Sequence, residues 1–132
     1  MKYLLDTDTC IYIIKKKPAA LLNRLFKENI SNVGISSITL SELEYGVEKS
    51  QYPGKNKLAL IEFLAPISVY GYDSNCAKEY GVVRADLERR GKVIGAMDML
   101  IAAHAKALNL ILVTNNIREF KNVKGLRIEN WV

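Results

Sequence analysis

The stretch Tyr3-Leu4-Leu5-Asp6-Thr7-Asp8 joins a short apolar run to an acidic turn. The apolar run predicts a buried strand that ends at Asp6, and Asp8 is the candidate N-cap of a helix from about Thr9 to Lys17. Strands and helices continue to alternate along the rest of the chain. This alternation predicts an α/β fold, in which residues 1–132 form a single domain with a parallel central sheet covered by helices on both faces.

The other predicted elements follow from apolar periodicity and from the Pro, Gly and Asp residues at their boundaries. The expected strands are Val33–Ser36, Ser68–Tyr70, Ile111–Thr114 and Arg127–Ile128. The expected helices are Ala19–Glu28, Leu40–Lys49, Asn56–Leu64, a long helix from its N-cap Asp73 to Gly91, and Ala96–Leu108. Sites in such sheets form beyond the carboxyl ends of the strands. The residues that follow each strand are therefore the first candidates for function.

The composition is that of a folded domain, with 49% hydrophobic and 25% charged residues. The formal charge of +5 fits either an anionic partner or a lysine-rich surface, and charge alone leaves both interpretations open. Cys10 and Cys76 have no CxxC spacing, so buried thiols are expected rather than a zinc site. We expect no signal peptide and no membrane span, and the expected location is the cytoplasm.

Three acidic residues occupy positions where folding alone has little need of all of them. Asp6 ends the first strand, Glu42 lies in the opening turn of the helix after the second strand, and Asp98 opens the Ala-rich helix. If the strands are parallel neighbours, the three carboxylates meet at one edge of the sheet. Converging carboxylates repel each other unless a cation lies between them, and hard oxygen ligands suit Mg²⁺ or Mn²⁺. A divalent metal site is therefore the first hypothesis.

Each acid also has a structural interpretation. Thr39 and Glu42 have the spacing of a capping box, and the structural and functional interpretations of Glu42 stand about even. Asp98 has the alternative of complementing the helix dipole, but its neighbours are apolar and no basic residue lies in the same turn, which favours function. Asp6 is interpreted as functional because Asp8 is assigned the capping role.

Further polar and basic residues are candidates for support and for substrate binding. Thr114 and Asn116 follow a core strand and so lie at the same edge as the acids, while Glu119 is either a fourth carboxylate or a solvated helix residue. His104 is expected to be satisfied or at the surface, and a single His allows neither a His pair nor a Ser-His-Asp triad. The basic residues expected to contact a phosphodiester backbone, or else to form a solvated surface, are Lys15, Arg84, Arg89 and Arg90.

Four segments of the chain resemble the PIN-domain ribonucleases. They are Leu4–Asp8, Ile38–Leu43, Ile94–Ala102 and Val113–Phe120. Within this family they resemble the VapC-type toxins of bacterial toxin–antitoxin pairs, and the motifs run in the family's order and spacing along the whole chain. The resemblance implies a PIN-like three-layer α/β/α domain and a metal-dependent endoribonuclease that a partner antitoxin holds in check.

The same resemblance implies roles for individual residues. The implied catalytic acids are Asp6, Glu42 and Asp98, with the metal on Asp6 and Asp98 and with Thr114 as a supporting hydroxyl. The implied cofactor is Mg²⁺ or Mn²⁺, and the implied partners are a VapB-type antitoxin, a second copy in a homodimer, and structured RNA, with tRNA favoured. Asp8 stands where many relatives have Asn, and Asn116 stands where many have Asp. Either Asn116 or Glu119 is therefore expected to replace the missing acid, and the number of metal ions stays open.

The helix after the second strand adds an expectation about assembly. Leu43, Tyr45 and Val47 lie on several sides of this short helix, which is more apolar surface than one core contact needs. This pattern agrees with the homodimer that the resemblance implies.

Two other functions stay open on sequence alone. Asp6-Thr7-Asp8 is similar to the Asp-x-Asp motif of haloacid-dehalogenase phosphatases, but the sixteen residues after Asn116 are too few to complete that fold, and Cys10 stands where Thr or Val is usual. The second alternative is a catalytically degenerate PIN-like module that binds RNA without cutting it. Asn116 is its one argument, and the retained acids speak against it because buried acids without a metal are destabilising.

Overall fold

The computed structural model describes residues 2–132, and Met1 lies outside the described part. The strands are β1 (Tyr3–Leu5), β2 (Val33–Ser36), β3 (Ser68–Tyr70), β4 (Ile111–Val113) and β5 (Ile128–Glu129). The helices are α1 (Thr7–Ile14), α2 (Ala19–Phe26), α3 (Ser37–Glu48), α4 (Pro53–Leu64), α5 (Ser74–Arg89), α6 (Ala96–Ala107) and α7 (Ile117–Phe120), with a 3₁₀ turn at Ile30–Asn32.

The strands form one parallel sheet in the order β3-β2-β1-β4-β5. The first strand lies at the centre, where Leu5 is paired with Ile35 of β2 on one side and with Val113 of β4 on the other. From β1 the chain adds β2 and then β3 on one side, and it then crosses to the other side of β1 to add β4 and β5. The switch point of the sheet therefore lies between β1 and β4. Ligands of open parallel sheets bind beyond the carboxyl ends of strands at such points.

Alternating side chains of β1 build two apolar layers. Tyr3 and Leu5 face the layer of α1, α2, α3 and α4, whereas Leu4 faces the layer of α5 and α6. All three side chains are buried, because β1 is covered on both faces. The structure therefore confirms the predicted three-layer α/β/α architecture with a parallel central sheet.

Most predicted elements are present, with shifted boundaries. Asp73 caps α5 as predicted, since its Oδ1 accepts the N–H groups of Asn75 and Cys76. The helix α3 begins at Ser37, three residues before the predicted start, and α7 was not predicted because its four residues are too short to show a helical period. Within residues 2–132, no helix has the length and the apolar character needed to cross a membrane.

The expectation of a second apolar face on α3 is wrong for two of its three residues. Leu43 and Val47 are buried in the core beneath α3, and only Tyr45 is exposed, with 65% of its surface accessible. Leu43 and Val47 thus already pack against the core of the protein itself and need no partner protein to cover them. Cys10 and Cys76 are buried free thiols, as predicted.

Candidate active site

Asp6 ends β1 and begins α1. Its backbone N–H bonds to the carbonyl of Val113 in β4 at 3.0 Å, and its Oδ1 accepts the N–H of Thr9 at 2.9 Å. The predicted capping role of Asp8 is therefore wrong, because Asp6 is the N-cap and Asp8 lies in the first turn. Pairing with β4 makes Asp6 rather than Asp8 the N-cap. The pairing holds the backbone of Asp6 in an extended conformation, so the carboxylate of Asp6 lies over the free N–H groups of the first turn of α1.

The carboxylate of Asp6 is buried, with only 4% of the residue exposed. Burial raises its pKa above the usual 3.8, while hydrogen bonds from the side chains of Thr114 and Thr9 oppose this shift. Thr114 directly follows β4, and its Oγ1 also accepts the N–H of Asn116 at 2.9 Å. The hydroxyl of Thr114 therefore lies beside Asp6 at the switch point, where the sequence places it.

Glu42 does not form a capping box with Thr39, and that interpretation is wrong. The N-cap of α3 is Ser36, whose hydroxyl accepts a backbone N–H at 3.0 Å, and Thr39 lies inside the helix and is fully buried. Glu42 therefore lies in the second turn, where its Oε1 accepts a hydrogen bond from the hydroxyl of Thr7 at 2.5 Å. Because Thr7 directly follows Asp6, this bond ties Glu42 to the end of β1. Sequence reasoning assigned Thr7 no role.

Asp98 lies in the first turn of α6, as predicted, and is half-buried. Burial is the largest cause that raises its pKa from the usual 3.8 to about 6. The remaining causes are negative charges, in decreasing order those of Glu119, Asp6, Glu42 and Asp8. The predicted acids therefore lie within electrostatic reach of one another at the carboxyl edge of the sheet.

Asn116 and Glu119 act together rather than as alternatives in this arrangement. The Nδ2 of Asn116 donates a hydrogen bond to Oε2 of Glu119 at 3.1 Å. Among the acids around Asp98, Glu119 has the largest electrostatic effect, and it is half-buried rather than a solvated helix residue. Asn116 thus holds the carboxylate of Glu119 by a hydrogen bond, and the charge of Glu119 acts on Asp98.

The donor set fits a divalent metal in chemistry and in charge. All of its side chains offer hard oxygen atoms, which Mg²⁺ and Mn²⁺ prefer. Within residues 2–132, no three His, Cys, Asp or Glu side chains are close enough together to hold a metal ion as they stand, and three of the carboxylates accept hydrogen bonds from neighbouring polar groups. The repulsion that helps to raise the pKa of Asp98 is the repulsion that a bound cation relieves.

The four predicted RNA-binding residues do not form one patch. Arg84 and Arg90 are paired with acids one turn away in α5, at 3.2 and 2.6 Å. Arg89 lines a separate cavity between α5 and α6. Lys15 follows α1 in the opposite helix layer, where it lines a cavity of about 250 Å³ together with Glu42.

His104 is fully buried, so the surface interpretation of this residue is wrong. Its Nδ1 lies 2.7 Å from Oγ of Ser36, and its ring meets the ring of Tyr72 edge-on at 5.8 Å between centroids. Burial lowers its pKa, and the charge of Asp73 opposes this shift. The pair links α6, which carries Asp98, to the N-cap of the helix that carries Glu42. Sequence reasoning missed it because the two residues lie 68 positions apart and no local pattern connects them.

A comparison with known families identifies this arrangement. The family model described as "PIN domain" matches residues 3–126, a range that contains every acid described above. The chain belongs to the PIN-domain family. Membership in this family rules out the haloacid-dehalogenase phosphatase that the sequence left open as an alternative.

Two curated relatives match this PIN domain over its length. "Ribonuclease VapC2" of Haemophilus influenzae is 46% identical, covering 100% of this chain and 99% of its own. "tRNA(fMet)-specific endonuclease VapC" of Shigella flexneri is 50% identical, covering 99% of this chain and 98% of its own. The predicted membership in the VapC type is thereby confirmed.

Solved structures agree with the sequence relatives. The structure of VapBC2 from Rickettsia felis, bound to a DNA fragment from their promoter, matches with a TM-score of 0.94 and 43% identity over 100% of both chains. The DNA-bound VapBC from Salmonella typhimurium matches with a TM-score of 0.95 and 45% identity over 100% of this PIN domain and 99% of that chain.

Proposed function

We propose that this PIN domain is a toxic endoribonuclease that uses Mg²⁺ or Mn²⁺ to hydrolyse structured RNA and that a VapB-type antitoxin neutralises it. One observation carries the proposal. Asp6, Glu42 and Glu119 act electrostatically on Asp98 at the switch point of a parallel sheet, where such folds bind ligands. The names of the VapC relatives, which describe ribonucleases and a tRNA endonuclease, support the same chemistry and favour tRNA as the substrate.

The proposed metal ligands are Asp6 and Asp98, with Glu42 and Glu119 completing the acidic set. When bound, a divalent cation supplies Lewis-acid polarisation of the scissile phosphodiester. Without a cation, the negative charges of the acidic set repel a polyanionic substrate. The proposed reaction therefore requires the cation. Thr114 is the proposed supporting hydroxyl beside Asp6.

Polar neighbours hold three of the four acids in place in this proposal. The N–H of Thr9 fixes Asp6, the hydroxyl of Thr7 holds Glu42, and the amide of Asn116 orients Glu119. Such positioning limits the reorganisation that the site needs when substrate arrives. In this proposal, Glu119 takes the place of the fourth acid that many relatives have where this chain has Asn116. Asn116 supports Glu119 through its hydrogen bond.

The partners and setting follow from the same proposal. The similarity to solved VapBC structures supports a cognate VapB-type antitoxin for this chain. We propose that residues 1–132 act as one domain, that two copies form a homodimer, and that the protein works in the cytoplasm. Basic residues proposed to contact the RNA backbone are Lys15, Arg84, Arg89 and Arg90.

The test is cleavage by purified protein, read out by sequencing of RNA 5′ ends after incubation with bulk bacterial tRNA. We expect discrete cuts that leave 5′-phosphates in Mg²⁺ or Mn²⁺, no cuts in excess EDTA, and no cuts by Asp98→Asn in either metal. Full activity in EDTA would exclude a metal-dependent nuclease. Binding of RNA without cleavage in any metal would favour the degenerate RNA-binding module. An adjacent gene for a small DNA-binding protein that blocks cleavage would support the toxin–antitoxin part, and harmless overexpression would contradict it.

A further inference from the structure

The buried pair of His104 and Ser36 joins a helix to the end of a strand that is distant in the chain. Both residues are 0% exposed, and Nδ1 of His104 lies 2.7 Å from Oγ of Ser36. Ser36 ends β2, and its hydroxyl also accepts the N–H of Ile38 at 3.0 Å, so the first turn of α3 holds this hydroxyl in place. The pair therefore connects α6 to a fixed point at the carboxyl end of β2.

The stability of the fold gives little reason for a histidine at this position. Nε2 of His104 is buried and has no hydrogen-bond partner among residues 2–132. Whichever nitrogen of the neutral ring carries the proton, an unpartnered buried nitrogen is unfavourable, and an apolar side chain would avoid that cost. A histidine differs from an apolar side chain by its directional hydrogen bond to Ser36. The bond therefore contributes more to position than to stability.

The packing surface of α6 gives such a directional bond a use. The buried residues around His104 on this helix include Ala102, Ala103 and Ala105, all 0% exposed. Alanine side chains form only shallow ridges, and apolar contact has no direction, so packing alone offers weak resistance to a small slide of α6 along the sheet. The hydrogen bond to Ser36 fixes the position of α6 along this direction.

A third residue encloses the pair. The backbone N–H of Tyr72 donates to Oγ of Ser37 at 3.1 Å, and the ring of Tyr72 meets the ring of His104 edge-on. The segment between β3 and α5 thus packs on the pair. A hydrogen bond in this apolar and fully buried setting is stronger than one exposed to water.

Both ends of the hydrogen bond are tied to the proposed metal ligands. Asp98 lies on α6, six residues before His104, which is a rise of roughly 9 Å along the helix. Ser36 and Asp6 directly follow the last paired residues of β2 and β1, so they lie level with each other at the carboxyl edge. The bond therefore sets the helix of Asp98 against the level of the sheet that carries Asp6.

We propose that His104 is a positioning residue that holds α6 through Ser36, so that the carboxylate of Asp98 can reach a metal ion held by Asp6. This inference rests on the proposed metal-dependent function. Metal–ligand distances are fixed to within about 0.2 Å, so even a small slide of α6 weakens the site. His104 acts through Asp98 and takes no part in the chemistry.

The test compares three variants of His104 with a control from the same apolar layer. His104→Asn places an amide where Nδ1 stands and keeps a partner for Ser36, whereas His104→Leu removes that partner. His104→Gln places its amide near the position of Nε2 and also leaves Ser36 unpaired, so the comparison does not depend on the folding of a single variant. The control Val83→Ala shortens a buried side chain of α5 and leaves the pair intact.

Binding of Mn²⁺ is measured without RNA at pH 7.5 from the electron paramagnetic resonance signal of free Mn²⁺, and melting temperatures are measured in EDTA. We expect His104→Leu and His104→Gln to bind Mn²⁺ about tenfold more weakly and His104→Asn to stay within about threefold of the unmodified protein. His104→Leu should melt within about 5 °C of the unmodified protein. Val83→Ala should melt about 5–10 °C lower but bind Mn²⁺ within about twofold.

Cleavage of bulk tRNA supplies a second measurement. In His104→Leu the Mg²⁺ concentration that gives half the maximal rate should rise about tenfold, while KM for tRNA stays within about twofold. Unchanged Mn²⁺ affinity in His104→Leu and His104→Gln would overturn the inference. An equal loss of affinity in Val83→Ala would also overturn it, because general loosening of the core would then be the cause.

The remaining outcomes separate this inference from the proposed function. A loss of Mn²⁺ affinity in His104→Asn as large as that in His104→Leu would exclude the hydrogen bond as the cause and overturn the inference. If the unmodified protein binds Mn²⁺ but cuts no RNA, the nuclease function is overturned, and the Mn²⁺ comparison still decides the role of His104. If the unmodified protein binds no Mn²⁺, the proposed metal site and this role are both overturned.

Discussion

Replacing Asp98 by Asn separates catalysis from folding in one experiment. Asn keeps the size and most of the hydrogen bonding of Asp98 but removes its charge. In the folded, metal-free protein the pKa of Asp98 is raised from 3.8 to about 6, with burial as the largest cause and Glu119 as the next. The charged form is therefore disfavoured in the folded state at neutral pH, and its removal should stabilise the protein without metal.

The magnitude follows from the size of this pKa shift. A shift of about two units corresponds to about 3 kcal/mol at 1.36 kcal/mol per unit. Asp98 is only half-buried, so solvent screening reduces this figure to about 1–2 kcal/mol. For a domain of this size, the melting temperature of Asp98→Asn in EDTA should therefore rise by about 3–10 °C at pH 7.5.

The pH dependence has a definite sign. Because the folded pKa of Asp98 is raised, its contribution to stability is fully present below about pH 4 and is lost as the pH rises through about 6. The advantage of Asp98→Asn in EDTA should therefore shrink between pH 7.5 and pH 5. Cleavage in Mg²⁺ should fall by at least about 100-fold at pH 7.5, since the proposed metal ligand is lost.

Asp86→Asn is the matched control for the melting experiment. The hydrogen bond from Arg90 is the main cause that lowers the pKa of Asp86, so removing this charge should lower the melting temperature rather than raise it. If Asp98→Asn also lowers the melting temperature in EDTA, by the equivalent of about 0.3–1 kcal/mol, and leaves cleavage intact, Asp98 only complements the helix dipole and the acidic-site reasoning is refuted.

Three further predictions follow from the positions of the polar residues. Glu42→Gln keeps an acceptor for Thr7, so circular dichroism should show unchanged helix content while cleavage is lost; retained cleavage would remove Glu42 from the acidic set. Ser36→Ala removes the N-cap of α3 and the partner of His104, so urea unfolding should show a loss of about 1–3 kcal/mol, and a change below about 0.5 kcal/mol would contradict the cap. Sedimentation at micromolar concentration should show the homodimer, and a monomer would count against this proposal.

The sequence predicts the architecture of this domain better than the roles of its capping residues. The apolar run before Asp6 and the alternation of elements are local signals, and both lead to the observed parallel sheet. The choice between Asp6 and Asp8 as N-cap depends on where β1 stops pairing with β4, and that strand lies more than one hundred residues away. No local pattern contains this information.

The acidic set illustrates the same limit. The positions of Asp6 and Asp98 at the carboxyl edge follow from element order, and the structure places them there. The true neighbours of Glu42 and Glu119 do not follow from spacing, because Thr7 reaches Glu42 across 35 positions and Asn116 reaches Glu119 only through the geometry of a short helix. The metal-ligand roles of these acids stay predictions until the cleavage and melting experiments are done.

The central position of β1 in the sheet has a consequence for the synthesis of the protein on the ribosome. One edge of β1 stays unpaired until β4 has been synthesised, since Leu5 of β1 pairs with Val113 of β4. Glu119, which follows β4, is translated later still. A ribosome making this chain therefore carries an incomplete acidic set for most of the time of synthesis, because long-range strand pairing closes late. The nuclease activity proposed for this chain should therefore appear only after β4 and α7 have emerged from the ribosome.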